Sequence, residues 1–279
     1  MKMREQLNCS MGRIFLEKLP NTRDLGGIRT TEGKMILPKK LIRSGTLYEA
    51  TKRDIEILAD GFGLGTVIDF RTEAERKQKP DPVIPGVVNI FNPILDEETV
   101  GITFEEEEGR HEFQGIINHA ASLSGKPHQY INKLYENLVL SQYAASQYGR
   151  FFDHLLEADE RAVLWHCSAG KDRVGIGTAL LLSALSVERR IVVDNFTETN
   201  TYVMEGAQKI ASYAEQETKD QELAHCVRVL LTVSEDYILH AFSAIEKTFG
   251  TVEEYLEKRI GLTHEKREKL KQKYLTAQI

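Results

Sequence analysis

His166-Cys167-Ser168-Ala169-Gly170-Lys171-Asp172-Arg173 decides the reading of this chain. A cysteine stands six residues before an arginine, with small residues and a glycine between. The apolar run Ala162-Val163-Leu164-Trp165 leads in, and an apolar helical pattern from Val174 to Leu185 leads out. Strand, tight loop and helix point backbone N–H groups and a helix dipole at one spot. A thiol placed there is expected to be unusually acidic, and its thiolate is a nucleophile. The arginine supplies a rigid two-pronged donor for phosphate-like oxygens. The combination reads as phosphoryl transfer through a cysteine. Three cysteines at average arginine usage produce this spacing by chance about one time in seven. Requiring His before the Cys and Gly at the fourth position reduces that to about a few in ten thousand. A buried cysteine ending a core strand is the bland alternative. A nucleotide P-loop is excluded, because its first glycine would fall at Trp165 and Asp172 stands where Ser or Thr is required.

The chain has 279 residues, with 36 Lys and Arg against 42 Asp and Glu, a net charge of −6. That balance argues against broad nucleic-acid binding, so an anionic substrate must be held by local positive potential. No apolar run is long enough for a transmembrane helix. Met1 to Ser10 lacks the apolar core of a signal peptide, and a cytoplasmic location is expected, with export by another route left open. Cys9, Cys167 and Cys226 are widely spaced and odd in number, which fits a reducing compartment rather than a disulfide framework. None has metal-ligand spacing, and no metal or cofactor is expected.

Outward from the octet, the glycines of Asn21-Thr22-Arg23-Asp24-Leu25-Gly26-Gly27 and Thr31-Glu32-Gly33-Lys34 predict turns of an N-terminal hairpin. Strands are predicted at 41–44, 66–70, 87–94 and 162–165. Thr51 to Ala59 reads as a helix with a capping box through Asp54. Gly61-Phe62-Gly63-Leu64-Gly65 precedes a strand, so it is not a dinucleotide fingerprint. The stretch 96–127 carries Glu105 to Glu108 and little periodicity, and reads as a solvated surface loop or a flexible insertion. Tyr130 to Leu156 is strongly helical. Further helices are predicted at 173–184, 187–199, 204–217, 235–248, 252–259 and 265–276, with a capping box at Thr251-Val252-Glu253-Glu254. Strands followed by helices imply one α/β domain over 1–279 with a partly parallel sheet. The helical segment 187–230 is a candidate lid.

The octet resembles the phosphate-binding loop of protein tyrosine phosphatases, and its Ala-Gly-Lys-Asp-Arg form is similar to a bacterial subgroup of tyrosine and lipid phosphatases. Asn21 to Gly27 with Arg43-Ser44-Gly45, the segment Ile68 to Arg76, and Ala244 through Leu262 resemble further segments of that subgroup. The resemblance covers nearly the whole chain. It implies a central mixed, partly parallel sheet flanked by helices, with extra C-terminal helices. It implies hydrolysis of phosphate monoesters through a phosphocysteine: phosphotyrosine first, with phosphoserine, phosphothreonine and phosphoinositides as further substrates. Phosphoproteins or phosphoinositides would then be its partners.

On this reading Cys167 is the nucleophile. Ser168, Ala169, Gly170, Lys171, Asp172 and Arg173 bind the phosphate through their N–H groups, and Arg173 grips two oxygens. Other tyrosine phosphatases take a general acid from a Trp-Pro-Asp loop, but the one tryptophan here is Trp165. The resemblance implies Asp172 in that role. Its place beside Lys171 and Arg173 at a helix start favours the carboxylate and so works against it. Asp69 and Asp96 are the reserve acids. Lys171 is either a solvated lysine or a ligand for additional substrate phosphates. His166 reads as a loop-orienting or a core histidine. Asp69 and Arg71 fall at a strand end where α/β sites collect, and Arg23 and Asp24 are candidate partners of the loop. Arsenate reduction, sulfur transfer and non-catalytic phosphate binding are the competing readings.

Overall fold

The structure, a computed structural model, describes residues 12–96 and 113–277. Five strands form one sheet: β1 (Arg23–Asp24), β2 (Leu41–Ser44), β3 (Leu64–Asp69), β4 (Val88–Phe91) and β5 (Ala162–His166). Their order is β1-β2-β5-β3-β4. β1 and β2 are antiparallel, while β2, β5, β3 and β4 run parallel. The sheet is the mixed, partly parallel one that the sequence predicts.

β5 is central, and side-chain alternation divides it between two cores. Val163 and Trp165 join the larger cluster, with Phe70 and Phe151. Ala162 and Leu164 join the smaller, with Ile42, Val67 and Leu58. Burial on both faces is why β3 and β5 read as apolar runs rather than alternating strands. Register sets Ser44, His166 and Asp69 side by side at one edge of the sheet. That is the carboxyl edge, from which the cysteine loop leaves.

Helices cover both faces. α1 (Lys52–Glu56) has the predicted Thr51–Asp54 capping box and runs into a π-turn over Ile57–Gly61. α2 (Glu73–Gln78) has a second box, Thr72 with Glu75. Residues 97–112 of the predicted loop lie outside the described residues. The part that is described is not irregular: α3 (Gln114–Ser122) buries Ile116, Ile117 and Ala120. The helical stretch 130–156 is two helices, α4 (Pro127–Leu140) and α5 (Gln142–Glu157). Ser141 breaks it with extended backbone, and its hydroxyl caps α5 by accepting from the Ala144 N–H.

α6 (Asp172–Ala184) follows the loop, and nearly all of it is buried. A Cβ on Gly175 would meet the Phe196 ring at 2.7 Å, so this glycine lets α7 (Arg189–Thr197) press onto α6. α8 (Asn200–Thr218), α9 (Gln221–Leu231), α10 (Glu235–Phe249), α11 (Val252–Lys258) and α12 (His264–Tyr274) complete the chain. α9 is not separated out among the predicted helices, although the helical segment 187–230 covers nearly all of it. Asp220 caps it by accepting from the N–H groups of Glu222 and Leu223, and α9 packs on α8, α3 and α4. At α11, Thr251 accepts from the Glu254 N–H, and the Glu254 carboxylate pairs with Lys258. No helix among the described residues is long and apolar enough to cross a membrane.

Candidate active site

Cys167 leaves the end of β5 and is 3% exposed. The loop from Cys167 to Lys171 is held from behind. The Ser168 carbonyl accepts from the Thr46 N–H at 2.9 Å. Asn21 Nδ2 donates to the Ala169 and Gly170 carbonyls at 3.0 and 3.2 Å, and Arg43 Nη2 donates to the Gly170 carbonyl at 2.8 Å. In a trans peptide the N–H of the next residue points opposite to the carbonyl. Anchoring these three carbonyls outward therefore turns the N–H groups of Ala169, Gly170 and Lys171 toward the inside of the loop. Gly170 has φ +69°, and a Cβ there would lie 2.6 Å from the Ser44 carbonyl oxygen. Both the left-handed backbone and the contact with β2 require glycine.

Arg173, in the first turn of α6, is clamped by α2. Its Nη1 and Nη2 donate to Glu75 Oε2 and Oε1 at 2.6 and 2.7 Å, a two-pronged pair. Glu75 also accepts from the Ser168 hydroxyl and the Thr72 N–H. Burial would raise the Glu75 carboxyl, but the Arg173 pairing, the Ser168 hydroxyl and the Thr72 N–H outweigh it and lower it to about 2. Burial would lower Arg173, and the Glu75 carboxylate overrides it, raising the guanidinium above its ordinary value. A carboxyl lowered on folding stabilises the fold above its unfolded value of 4.5, and that contribution is lost as pH falls toward 2. The gap in urea midpoint between wild type and Glu75→Gln is thus expected to be widest above about pH 5 and to close toward pH 2. A gap independent of pH would mean that the pair does not form.

Asp172 is the first residue of α6. Its Oδ1 accepts from the Tyr135 hydroxyl at 2.7 Å, and its Oδ2 lies 3.0 Å from Lys171 Nζ. Burial, then the Asp172 charge, push the Tyr135 hydroxyl well above its ordinary value, so it remains a donor. Lys171 is not a solvated lysine: it is 7% exposed, and its ammonium donates to the Leu230 carbonyl at 2.7 Å, near the C-terminus of α9. A cation is favoured there by the helix dipole.

His166, Asp69 and Arg71 belong to a buried charge cluster beside the loop, together with Asp81. Arg71 binds Asp69 through Nε and Nη2 at 2.9 and 2.8 Å, and its Nη2 is 3.0 Å from Asp81 Oδ2. His166 Nε2 lies 2.9 Å from the same Asp81 oxygen. Asp69, Asp81 and His166 each offer one ligand atom within 4.8 Å of the others. The Arg71 guanidinium already bonds both carboxylates, so the cation of this cluster is an arginine. The same bonds commit Asp69 to Arg71 rather than to acid chemistry. Asp24 is not at the loop: its carboxylate accepts from the N–H groups of Gly26 and Lys39. Arg23 bonds Asn195, Glu198 and Thr199 instead of the loop.

A cavity of about 340 Å³ opens over the loop. Cys167, Ser168, Ala169, Lys171, Asp172 and Arg173 lie on its polar side. Its apolar wall comes from Leu95, from α3, from Ile131, Leu134 and Leu138 of α4, and from Leu230 and Leu231 of α9. The sequence assigns no site role to Glu75, Asn21, Arg43, Asp81 or Tyr135, although Asn21, Arg43 and Glu75 lie in segments that carry the family resemblance. Glu75 also carries a local signal, the Thr72-x-x-Glu75 capping box.

A cysteine loop between a central strand and a helix, facing a cavity and backed by a clamped arginine, defines a phosphate-handling enzyme. The chain belongs to the tyrosine phosphatase family, whose model matches residues 14–276. It is a phosphatase. It is similar to the triple specificity protein phosphatase PtpB of Mycobacterium tuberculosis, at 25% identity over 266 residues, covering 85% of this chain and 90% of the relative. A Cupriavidus necator protein that carries a tyrosine-protein phosphatase name is 25% identical over 250 residues, covering 87% of this chain and 82% of the relative. A tyrosine-protein phosphatase of Nostoc commune is 27% identical over 177 residues, covering 60% of this chain and 50% of the relative.

Proposed function

We propose that this phosphatase hydrolyses phosphotyrosine through a phosphocysteine at Cys167. The observation that carries the reading is the loop itself, whose Cys167 lines one cavity with the clamped Arg173. In the first step the thiolate attacks phosphorus, a P–S bond forms and the ester P–O bond breaks. Asp172 gives its proton to the departing oxygen. In the second step water attacks phosphorus, Asp172 takes the proton back, and the P–S bond breaks to release phosphate and thiolate. Glu75 takes one hydrogen from each Arg173 Nη and the Ser168 hydroxyl accepts from Nη2, leaving Nε–H and an Nη1 hydrogen for phosphoryl oxygens. Those donors act on charge that spreads over the equatorial oxygens in the transition state.

The apolar wall favours an aromatic leaving group over the short stems of phosphoserine and phosphothreonine, which are secondary substrates on this reading. Lys171 supports phosphoinositides as a further class, since it lines the same cavity. The α7–α9 segment acts as a lid through Leu230 and Leu231. Arsenate reduction would require a second cysteine as resolving nucleophile. Among the described residues the other cysteine is Cys226, whose thiol burial pushes up, the wrong direction for that role.

The test sets wild type and Asp172→Asn against a nitrophenyl phosphate, a phosphotyrosine peptide, a phosphoserine peptide and a phosphoinositide. Wild type is expected to turn over the two aryl phosphates fastest. Asp172→Asn is expected to lose about 10²-fold or more on the peptide, where the leaving group needs a proton, and far less on the nitrophenyl ester. Small and equal losses on both would remove Asp172 from the acid role. Preference for phosphoserine would overturn the aryl reading.

A further inference from the structure

Two arginines lie beneath the phosphate loop, and the sheet fixes them face to face. Arg23 of β1 and Arg43 of β2 are register partners in the antiparallel pair, and both are fully buried. Like charges directly opposite on a ladder repel, and burial removes the water that would screen them. One carboxylate answers them: Glu198 Oε2 is 3.2 Å from Arg23 Nη1. Arg43 bonds neutral acceptors. Its Nη1 donates to Asn195 Oδ1 at 2.8 Å, and its Nη2 donates to the Gly170 carbonyl at 2.8 Å and to Thr199 Oγ1 at 3.3 Å. Its Nε has no hydrogen-bond partner among the described residues.

Two buried cations therefore share one carboxylate. A buried charge without a counter-ion is strongly unfavourable, so the missing negative charge has to come from nearby. The phosphate loop lies directly against Arg43, through the Gly170 carbonyl. Burial first, then the like charge of Arg23, pull the Arg43 guanidinium well below its ordinary value, against Cys167, Glu198 and Tyr135, which act in the opposite sense. The Gly170 carbonyl that Arg43 holds belongs to the same peptide as the Lys171 N–H, which faces into the loop. A cation on one end of a peptide polarises the donor at the other.

We propose that Arg43 is a positioning residue of the phosphate site: its buried guanidinium, with no carboxylate of its own, takes its counter-charge from the phosphoryl oxygens of the bound substrate, acting through the Gly170–Lys171 peptide. The inference rests on the phosphatase reading above.

The test compares wild type, Arg43→Met, Arg43→Lys and Glu198→Gln as full chains. Thermal midpoints are measured with and without inorganic phosphate, and kcat and KM with an aryl phosphate. Arg43→Met is expected to weaken phosphate binding roughly 10- to 100-fold, seen as collapse of the phosphate-induced rise in midpoint. Arg43→Lys is expected to restore most of that rise, because it keeps the charge. Glu198→Gln removes the one carboxylate and is expected to tighten phosphate binding about two- to five-fold. A loosened structure would do the reverse. Equal phosphate-induced rises in wild type and Arg43→Met would overturn the proposal, as would weaker phosphate binding by Glu198→Gln. The Glu198→Gln result decides alone if Arg43→Met does not fold. If wild type neither responds to phosphate nor turns over the ester, the phosphatase reading itself fails and this proposal with it.

Discussion

Cys167→Ser is expected to remove hydrolysis of an aryl phosphate almost entirely, by roughly 10⁴-fold or more, the scale on which covalent nucleophiles are lost. The substitution is nearly isosteric and the residue is buried at the end of the central strand, so the fold has no reason to change. What changes is the nucleophile. A serine hydroxyl is a far weaker acid than a thiol and stays protonated at neutral pH. The loop N–H groups and Arg173 remain, so inorganic phosphate is expected to bind Cys167→Ser at least as well as wild type, with one negative charge fewer in the loop to repel it. Binding without turnover is the signature; it separates loss of the nucleophile from loss of the site. Turnover within about ten-fold of wild type, measured by phosphate release, would sink the phosphocysteine mechanism.

The parts of this site that were legible in the sequence are those whose physics is local. The apolar run 162–165, the glycine at 170 and the helix after 172 are each set by neighbours in the chain, and the strand, loop and helix follow. The supporting residues are remote. Asn21 reaches the loop across 149 positions and Glu75 reaches Arg173 across 98, and nothing in either local segment announces the contact. The case of Arg43 is similar. In the sequence it is one cation in a short strand, and only the register opposite Arg23 makes its charge conspicuous. Lys171 shows the opposite failure. Lysine is usually solvated, and here the carbonyl of Leu230 on α9, a helix the periodicity did not reveal, draws it inward. The stretch 130–156 read as one helix because the apolar spacing continues through Ser141, while the break depends on a hydroxyl that caps the following turn.

Arg173→Lys is expected to lower kcat by about 10³-fold while changing KM far less, because the lost interaction is made chiefly in the transition state. Charge alone is not what Arg173 supplies. Glu75 fixes the guanidinium plane through two parallel bonds, and only a planar fork can meet a carboxylate on one edge and phosphoryl oxygens on the other. An ammonium at the end of a lysine chain can reach Glu75 or the phosphate, not both in one fixed geometry. Glu75→Gln leaves the fork but removes the charge that orients it, and its expected cost is smaller, about 10- to 100-fold in kcat. The double variant is then expected to lose little beyond Arg173→Lys alone, since Glu75 acts through the arginine it holds. Additive losses would mean instead that Glu75 serves the reaction independently, through its bond from the Ser168 hydroxyl. A kcat for Arg173→Lys within about ten-fold of wild type would show that a point charge suffices, and that the clamp from α2 belongs to stability rather than to catalysis.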